Sequence, residues 1–128
     1  MTQPISDDLK RAAKLFNRWQ FQEAQDAFHQ LAEEAVGSER TFLTALADLS
    51  AGFYRIWNNG GEPNAMVSYL EKGIKGLSPM AGVPSGVNMD GFMKSLGLCL
   101  TEAHDWRRGD IELFHRDHIP RINIARGR

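Results

Sequence analysis

Apolar residues return every three or four positions along most of this chain, and the places where they stop mark the ends of five helices. Leu9, Ala12, Ala13 and Phe16 form the first stripe. Ser6 precedes it as N-cap, Asp7 and Asp8 sit where the helix dipole favours anions, and Asn17 ends it. A second helix starts at Phe21 or Gln22 and runs to about position 36. Its apolar face holds Ala24, Ala27, Phe28, Leu31 and Ala35, with Gln22, Asp26, His29 and Glu33 opposite. Gly37 offers the permissive backbone that follows a helix end, and Ser38 caps a third helix over residues 39–58. At 1.5 Å per residue that helix is about 30 Å long, which makes it the longest element and the spine. Phe42, Leu46, Leu49, Phe53 and Ile56 share its core stripe; Thr44, Asp48, Ala51 and Arg55 share a second one.

Asn58-Asn59-Gly60-Gly61 breaks that helix, and Pro63 suits the first turn of a fourth, packed through Met66, Tyr69, Leu70, Gly73, Ile74 and Leu77. Residues 78–89 hold two prolines and two glycines without periodicity, which predicts a loop that makes an ordered excursion over one end of the bundle. Asp90 caps a fifth helix over 90–105 with Phe92, Leu96, Cys99, Leu100 and Ala103 on its inner face. The tail, 106–128, turns at Arg107-Arg108-Gly109-Asp110. Its β-branched residues and proline predict an extended path, with no earlier strand to join and the last four residues frayed. The pattern therefore predicts an all-α, single-domain bundle of about five helices with an extended C-terminal tail. Its core is expected to hold Phe16, Phe28, Leu31, Phe42, Leu46, Leu49, Phe53, Leu70 and Ile74. A tetratricopeptide-like pair, echoed in Trp19, Phe21, Ala24 and Phe28 and again in Ala65 and Tyr69, ranks below the bundle. Those two echoes lie further apart than the repeat's period of about 34 residues.

Composition narrows the partners. The chain has 128 residues, 42% hydrophobic and 24% charged, which are ordinary values for one globular domain. Fifteen basic and 16 acidic residues give a net charge of −1. That balance offers no footprint for nucleic acid, and no apolar run reaches the roughly 20 residues of a membrane span. The polar, acidic first residues do not read as a secretory signal, and the single Cys99 among leucines reads as a buried thiol in a reducing compartment. A cytoplasmic location is expected.

Candidate chemistry is sparse. Asp26, His29 and Glu33 share one stripe of the second helix, but opposite its apolar face, where a solvated surface belongs. Glu23 flanks that apolar face, and Arg40 opens the third helix where a cation works against the dipole. A structural ion pair from Arg40 to Glu23, Asp26 or Glu33 is the expected reason. Asp48 and Arg55 lie about 10 Å apart along one helix, too far to pair directly. His104, Asp105, Asp110, His115, Asp117 and His118 crowd the C-terminal region without any zinc-binding pattern. On an extended tail His115 and His118 would point to opposite faces. No nucleophile elbow or phosphate loop is present, and Trp19, Trp57 and Trp106 read as packing residues.

Residues 16–77 resemble the domain of unknown function 309 family, small all-helical prokaryotic proteins without an established activity. One motif carries the likeness through Phe16, Asn17, Phe21, Glu23, Ala24, Gln25 and Asp26. A second runs through Gly37, Arg40, Phe42, Leu43, Thr44, Ala45, Leu46, Ala47 and Asp48, then Ala51, Tyr54 and Arg55. A third spans Asn59, Gly60, Gly61, Ala65, Tyr69, Leu70, Gly73 and Leu77, so the family-like core is 5–77. Where the family motif has histidine this chain has Gln25 and Arg55, and where it has glutamine it has Thr44 and Asp48. Neither glutamine nor arginine serves as a base or a good metal ligand, so activity resting on those histidines is expected to be absent.

Two functions follow from this reading. The first is a non-enzymatic binding module, a homodimer, with a ligand or partner site among Glu23, Asp26, Arg40, Thr44, Asp48 and Arg55, and with no catalytic residue, metal or cofactor. The alternative is a metal-assisted hydrolase using Glu23, Asp26 and Asp48. Arg40 and Arg55 would repel a cation there, which favours the first.

Overall fold

A computed structural model describes residues 6–84 and 86–124. Five helices, α1 (Asp7–Asn17), α2 (Phe21–Glu34), α3 (Gly37–Tyr54), α4 (Pro63–Leu77) and α5 (Asp90–Arg108), make the all-α bundle that the periodicity predicts. Ser6 caps α1 as expected, its hydroxyl accepting from the Leu9 amide at 3.1 Å. Pro63 opens α4, and Gly109 ends α5 in the left-handed conformation with φ 82°.

The core is a phenylalanine cluster drawn from four helices. Phe16 meets Phe21 edge-on at 5.1 Å, Phe53 at 5.9 Å and Phe92 at 6.0 Å. These rings come from α1, α2, α3 and α5, so one apolar contact set fixes four helices at once. Seven of the nine expected core residues are buried; Leu31 and Ile74 are only partly so. The helix α3 packs against both α2 and α4, as a spine should. Its contact with α4 is made close by glycine: a Cβ on Gly73 would stand 2.5 Å from the Leu49 side chain, and one on Gly76 2.9 Å from the Ala45 Cβ.

Several boundaries differ from the expectation. The α2–α3 connection is only Ala35 and Val36, which leaves no room for Gly37 to end one helix before Ser38 caps the next. Gly37 is instead the first residue of α3, with φ 61°, and Val36 is the N-cap without a side-chain bond. The spine stops at Tyr54, so α5, with 19 residues, is longer than α3, with 18. Met89, not Asp90, is the cap of α5, and that helix runs on to Arg108, taking in Trp106 from the expected tail.

The 78–89 loop does cross one end of the bundle. Gly82, at φ 77°, lies so close to α3 that a Cβ there would fall 2.2 Å from the Ser38 carbonyl oxygen. This seats the loop on the first turn of the spine. The tail also has a partner that no earlier pattern predicts. A strand β2 (Asn123–Ile124) pairs antiparallel with β1 (Val87–Asn88) from that loop, Val87 opposite Ile124 and Asn88 opposite Asn123. The frayed end expected for the last four residues falls on 125–128, outside the described residues. Among the described residues no helix is long and apolar enough to cross a membrane.

Candidate functional site

The helical stripe that carries Thr44 and Asp48 is positioned by the core stripe beside it: with Phe42, Leu46, Leu49 and Phe53 turned inward, Thr44 and Asp48 are left half-buried at the α3–α4 boundary. Because Gly73 and Gly76 bring α4 close, a shallow open depression forms there, lined by Arg40, Thr41, Thr44, Asp48, Lys72 and Gly76. Three of the six expected site residues, Arg40, Thr44 and Asp48, come together in it. Lys72 was not expected, because its apolar neighbours on α4 define the packing face and leave it reading as plain surface; only its place across from Asp48 gives it a role.

Burial pushes the Asp48 carboxyl up from its ordinary value, against the opposing pull of Lys72 and His29. Among the described residues Asp48 makes no side-chain hydrogen bond and no ion pair within 4 Å. The depression thus presents an ionisable oxygen pair with unused acceptor capacity, flanked by a guanidinium and an ammonium. This arrangement suits binding of a polar group. Among the described residues no hydrogen bond joins a hydroxyl of Thr41 or Thr44 to the Asp48 carboxylate in it.

The other three expected residues lie elsewhere. Glu23 and Asp26 are exposed on α2 and do not line the depression. Among the described residues no ion pair joins Arg40 to Glu23, Asp26 or Glu33; solvent can satisfy an exposed guanidinium, so the dipole position needs no acidic partner. Arg55 closes the α3–α4 turn. Its Nη1 donates to Glu62 Oε1 at 2.9 Å, its carbonyl accepts from the Glu62 amide at 2.8 Å, and its guanidinium lies 5.4 Å from the centre of the Tyr69 ring. The Asn58 amide donates to the same Glu62 oxygen at 2.8 Å. Bonds from Asn58 and Arg55 hold the Glu62 carboxyl below its ordinary value. Arg55 is therefore a turn-building arginine.

A second polar cluster lies under the tail, where the sequence expectation is corrected. Residues 116–118 form a 3₁₀ turn rather than an extended run, and in that geometry side chains three apart eclipse. His115 and His118 therefore face the same group. The Nδ1 of His115 is 2.9 Å from Glu102 Oε2, the Nδ1 of His118 is 2.6 Å from Oε1, and the rings stand 5.4 Å apart. The His115 amide also donates to Oε2. Burial raises the Glu102 carboxyl, but the His115 amide and the two imidazoles outweigh it and hold the group below its ordinary value. The readable signal was the spacing of three between the histidines, followed at once by Ile119-Pro120, which stops a helix.

Four side chains tie the tail to the bundle around this cluster. Trp106 Nε1 donates to the Glu112 carbonyl at 3.1 Å, and the Cys99 thiol donates to the His118 carbonyl at 3.4 Å. Asn17 takes both backbone polar groups of one residue: its Nδ2 donates to the Ile122 carbonyl at 3.0 Å, and its Oδ1 accepts from the Ile122 amide at 2.7 Å. Glu102 is the fourth. Comparison with protein-family models, with curated proteins and with solved structures finds no match to this chain.

Proposed function

We propose that this protein is a non-enzymatic binding module whose ligand site is the α3–α4 depression. The observation that carries the reading is Asp48: a half-buried carboxylate without a protein partner, kept beside Arg40, Thr44 and Lys72. A charge held where burial disfavours it, and not used to hold the fold, is a mark of a functional position. The complementary ligand is a small polar molecule with an anionic group for Arg40 and Lys72 and a hydrogen-bond donor for Asp48 and Thr44. Amide shift mapping with glycine, 4-aminobutyrate and inorganic phosphate at millimolar concentration tests this. Shifts centred on Thr44, Asp48 and Lys72, and lost in Asp48→Asn, are expected; shifts centred elsewhere, or none with any probe, sink it.

Kinship with the domain of unknown function 309 family belongs to the same proposal. Its supports are the motif positions that build the frame: Phe16, Phe21, Ala24, Phe42, Ala45 and Leu46 in the core, Asn17 on the tail, and Gly73 at the helix contact. A cytoplasmic homodimer completes the reading. The apolar surface for self-association is narrower than the tail's composition implies, since Phe114, Ile119 and Ile122 are buried on their own chain. It rests on Val36, Leu98 and Leu113, which are 82%, 67% and 68% exposed. Light scattering should show a dimer at high micromolar concentration, and a strict monomer there would remove that part.

A further inference from the structure

Glu102, His115 and His118 form the one set of three potential metal-ligating groups among the described residues whose donor atoms all lie within 4.8 Å of one another. Two imidazoles and one carboxylate are a donor set that zinc accepts with water in the remaining position. A tetrahedral ion with bonds of about 2.0–2.2 Å places its ligands about 3.3 Å apart, so side-chain adjustments of well under a helical turn bring these three to bonding distance. The backbone that carries them is already fixed. Glu102 stands on α5, and its side chain is only 14% exposed. The two histidines are held on the bundle by buried Phe114 before them and by the Cys99 bond, Ile119 and the Asn17 clamp within and after them. The imidazoles themselves are 65% and 61% exposed, so an ion can enter without unfolding anything.

We propose that Glu102, His115 and His118 bind a borderline-soft divalent transition-metal ion of the zinc class, pinning the tail to α5. The nitrogen donors select such an ion over Mg²⁺ and Ca²⁺, which prefer oxygen-only shells. Without the ion, each Nδ1 carries the hydrogen that it donates to the carboxylate. With the ion, each Nδ1 gives its lone pair to the metal, and in a neutral ring the hydrogen resides on the solvent-facing Nε2. The His115 amide stays bonded to Glu102 Oε2 and orients the carboxylate, so Oε1 is the ligand oxygen. This site is separate from the α3–α4 depression, and its failure leaves that reading untouched.

Calorimetry with Zn²⁺ on the chelator-treated full chain is the first measurement, with a long-range ¹H–¹⁵N spectrum of the imidazoles as the second. One-to-one binding is expected, weakened about tenfold or more by Glu102→Gln and by His118→Ala, as loss of a ligand costs at least what loss of an outer contact does. In the spectrum, His115 and His118 should change from the Nδ1–H to the Nε2–H form while His29 and His104 stay unchanged, and Mg²⁺ should produce neither effect. The spectrum needs no variant, so a misfolded substitution does not blunt the test. Absence of Zn²⁺ binding, binding that both variants retain, or binding with His115 and His118 still in the Nδ1–H form each overturns the proposal and leaves the cluster as a hydrogen-bonded clasp.

Discussion

The helical body and the tail are held by opposite means. Between α1, α2, α3 and α5 the contacts are rings and aliphatic chains, and the one buried polar side chain in that body, Ser50, bonds within its own helix to the Leu46 carbonyl at 2.8 Å. The tail buries Phe114, Ile119 and Ile122 as well, but its path is set by single side chains reaching out from helices: Asn17, Cys99, Glu102 and Trp106. Apolar packing is non-directional and tolerates repacking, whereas each tail bond has one donor and one acceptor and no substitute. The body should therefore lose stability in proportion to what is removed, and the tail should detach all at once.

Phe53→Ala tests the first half most severely. Phe53 is fully buried against Phe16 and Phe21, so its truncation should lower unfolding free energy by roughly 3–5 kcal/mol in a urea titration. A loss below about 1 kcal/mol would mean that the ring cluster is not what binds these helices. Asn17→Ala tests the second half. It leaves the Ile122 N–H and C=O without partners, and a loss of about 1–3 kcal/mol is expected. Hydrogen exchange should quicken at Ile122 and at β2 while α3 amides keep their protection; uniform quickening would erase the distinction between the two regions.

A smaller effect concerns the polar joint at the α3–α4 turn. Glu62 titrates lower in the folded chain than in the unfolded one, so its contribution is present above the ordinary carboxylate range and is lost as pH falls through the folded value. Glu62→Gln should accordingly lower the melting midpoint at neutral pH and match the parent in strong acid; an equal deficit at both would assign the effect to packing. The smallest expected change belongs to Asp48→Asn. Folding raises the Asp48 value, so ionising it opposes folding at neutral pH, and this penalty vanishes as pH falls below the unfolded value. The variant should be as stable as the parent or slightly more so at pH 7, with the gap closing in acid. A marked loss at pH 7 would make Asp48 a structural residue.

The same division explains what could be read before the fold was in hand. Helix number, the Ser6 and Pro63 starts and most of the core follow from periodicity and local backbone preference, because each is decided within a few residues. Gly82 on the first turn of α3, β2 on β1, and Asn17 on Ile122 are decided by residues far apart, and no repeating pattern records such a meeting. At the α3–α4 depression Thr44 and Asp48 are legible as one helical stripe, but the same stripe carries Arg55 away to the next turn, Arg40 reads only as the residue that opens the helix, Lys72 comes from another helix, and Glu23 and Asp26 join them only by likeness of chemistry. The two histidines were misplaced because one turn of 3₁₀ helix reverses the alternation of an extended chain.

Cys99 turns the tail into something that can be timed. Its sulfur is fully covered and donates to the His118 carbonyl, and burial, with Glu102 nearby, pushes the thiol up to about 12. While the tail is down the thiol is both hidden and protonated, so an alkylating reagent finds neither access nor thiolate. When the tail lifts, both obstacles go together, and the residue is the chain's only cysteine. Its labelling rate therefore counts tail openings one molecule at a time, on a clock that the bundle's own melting does not set.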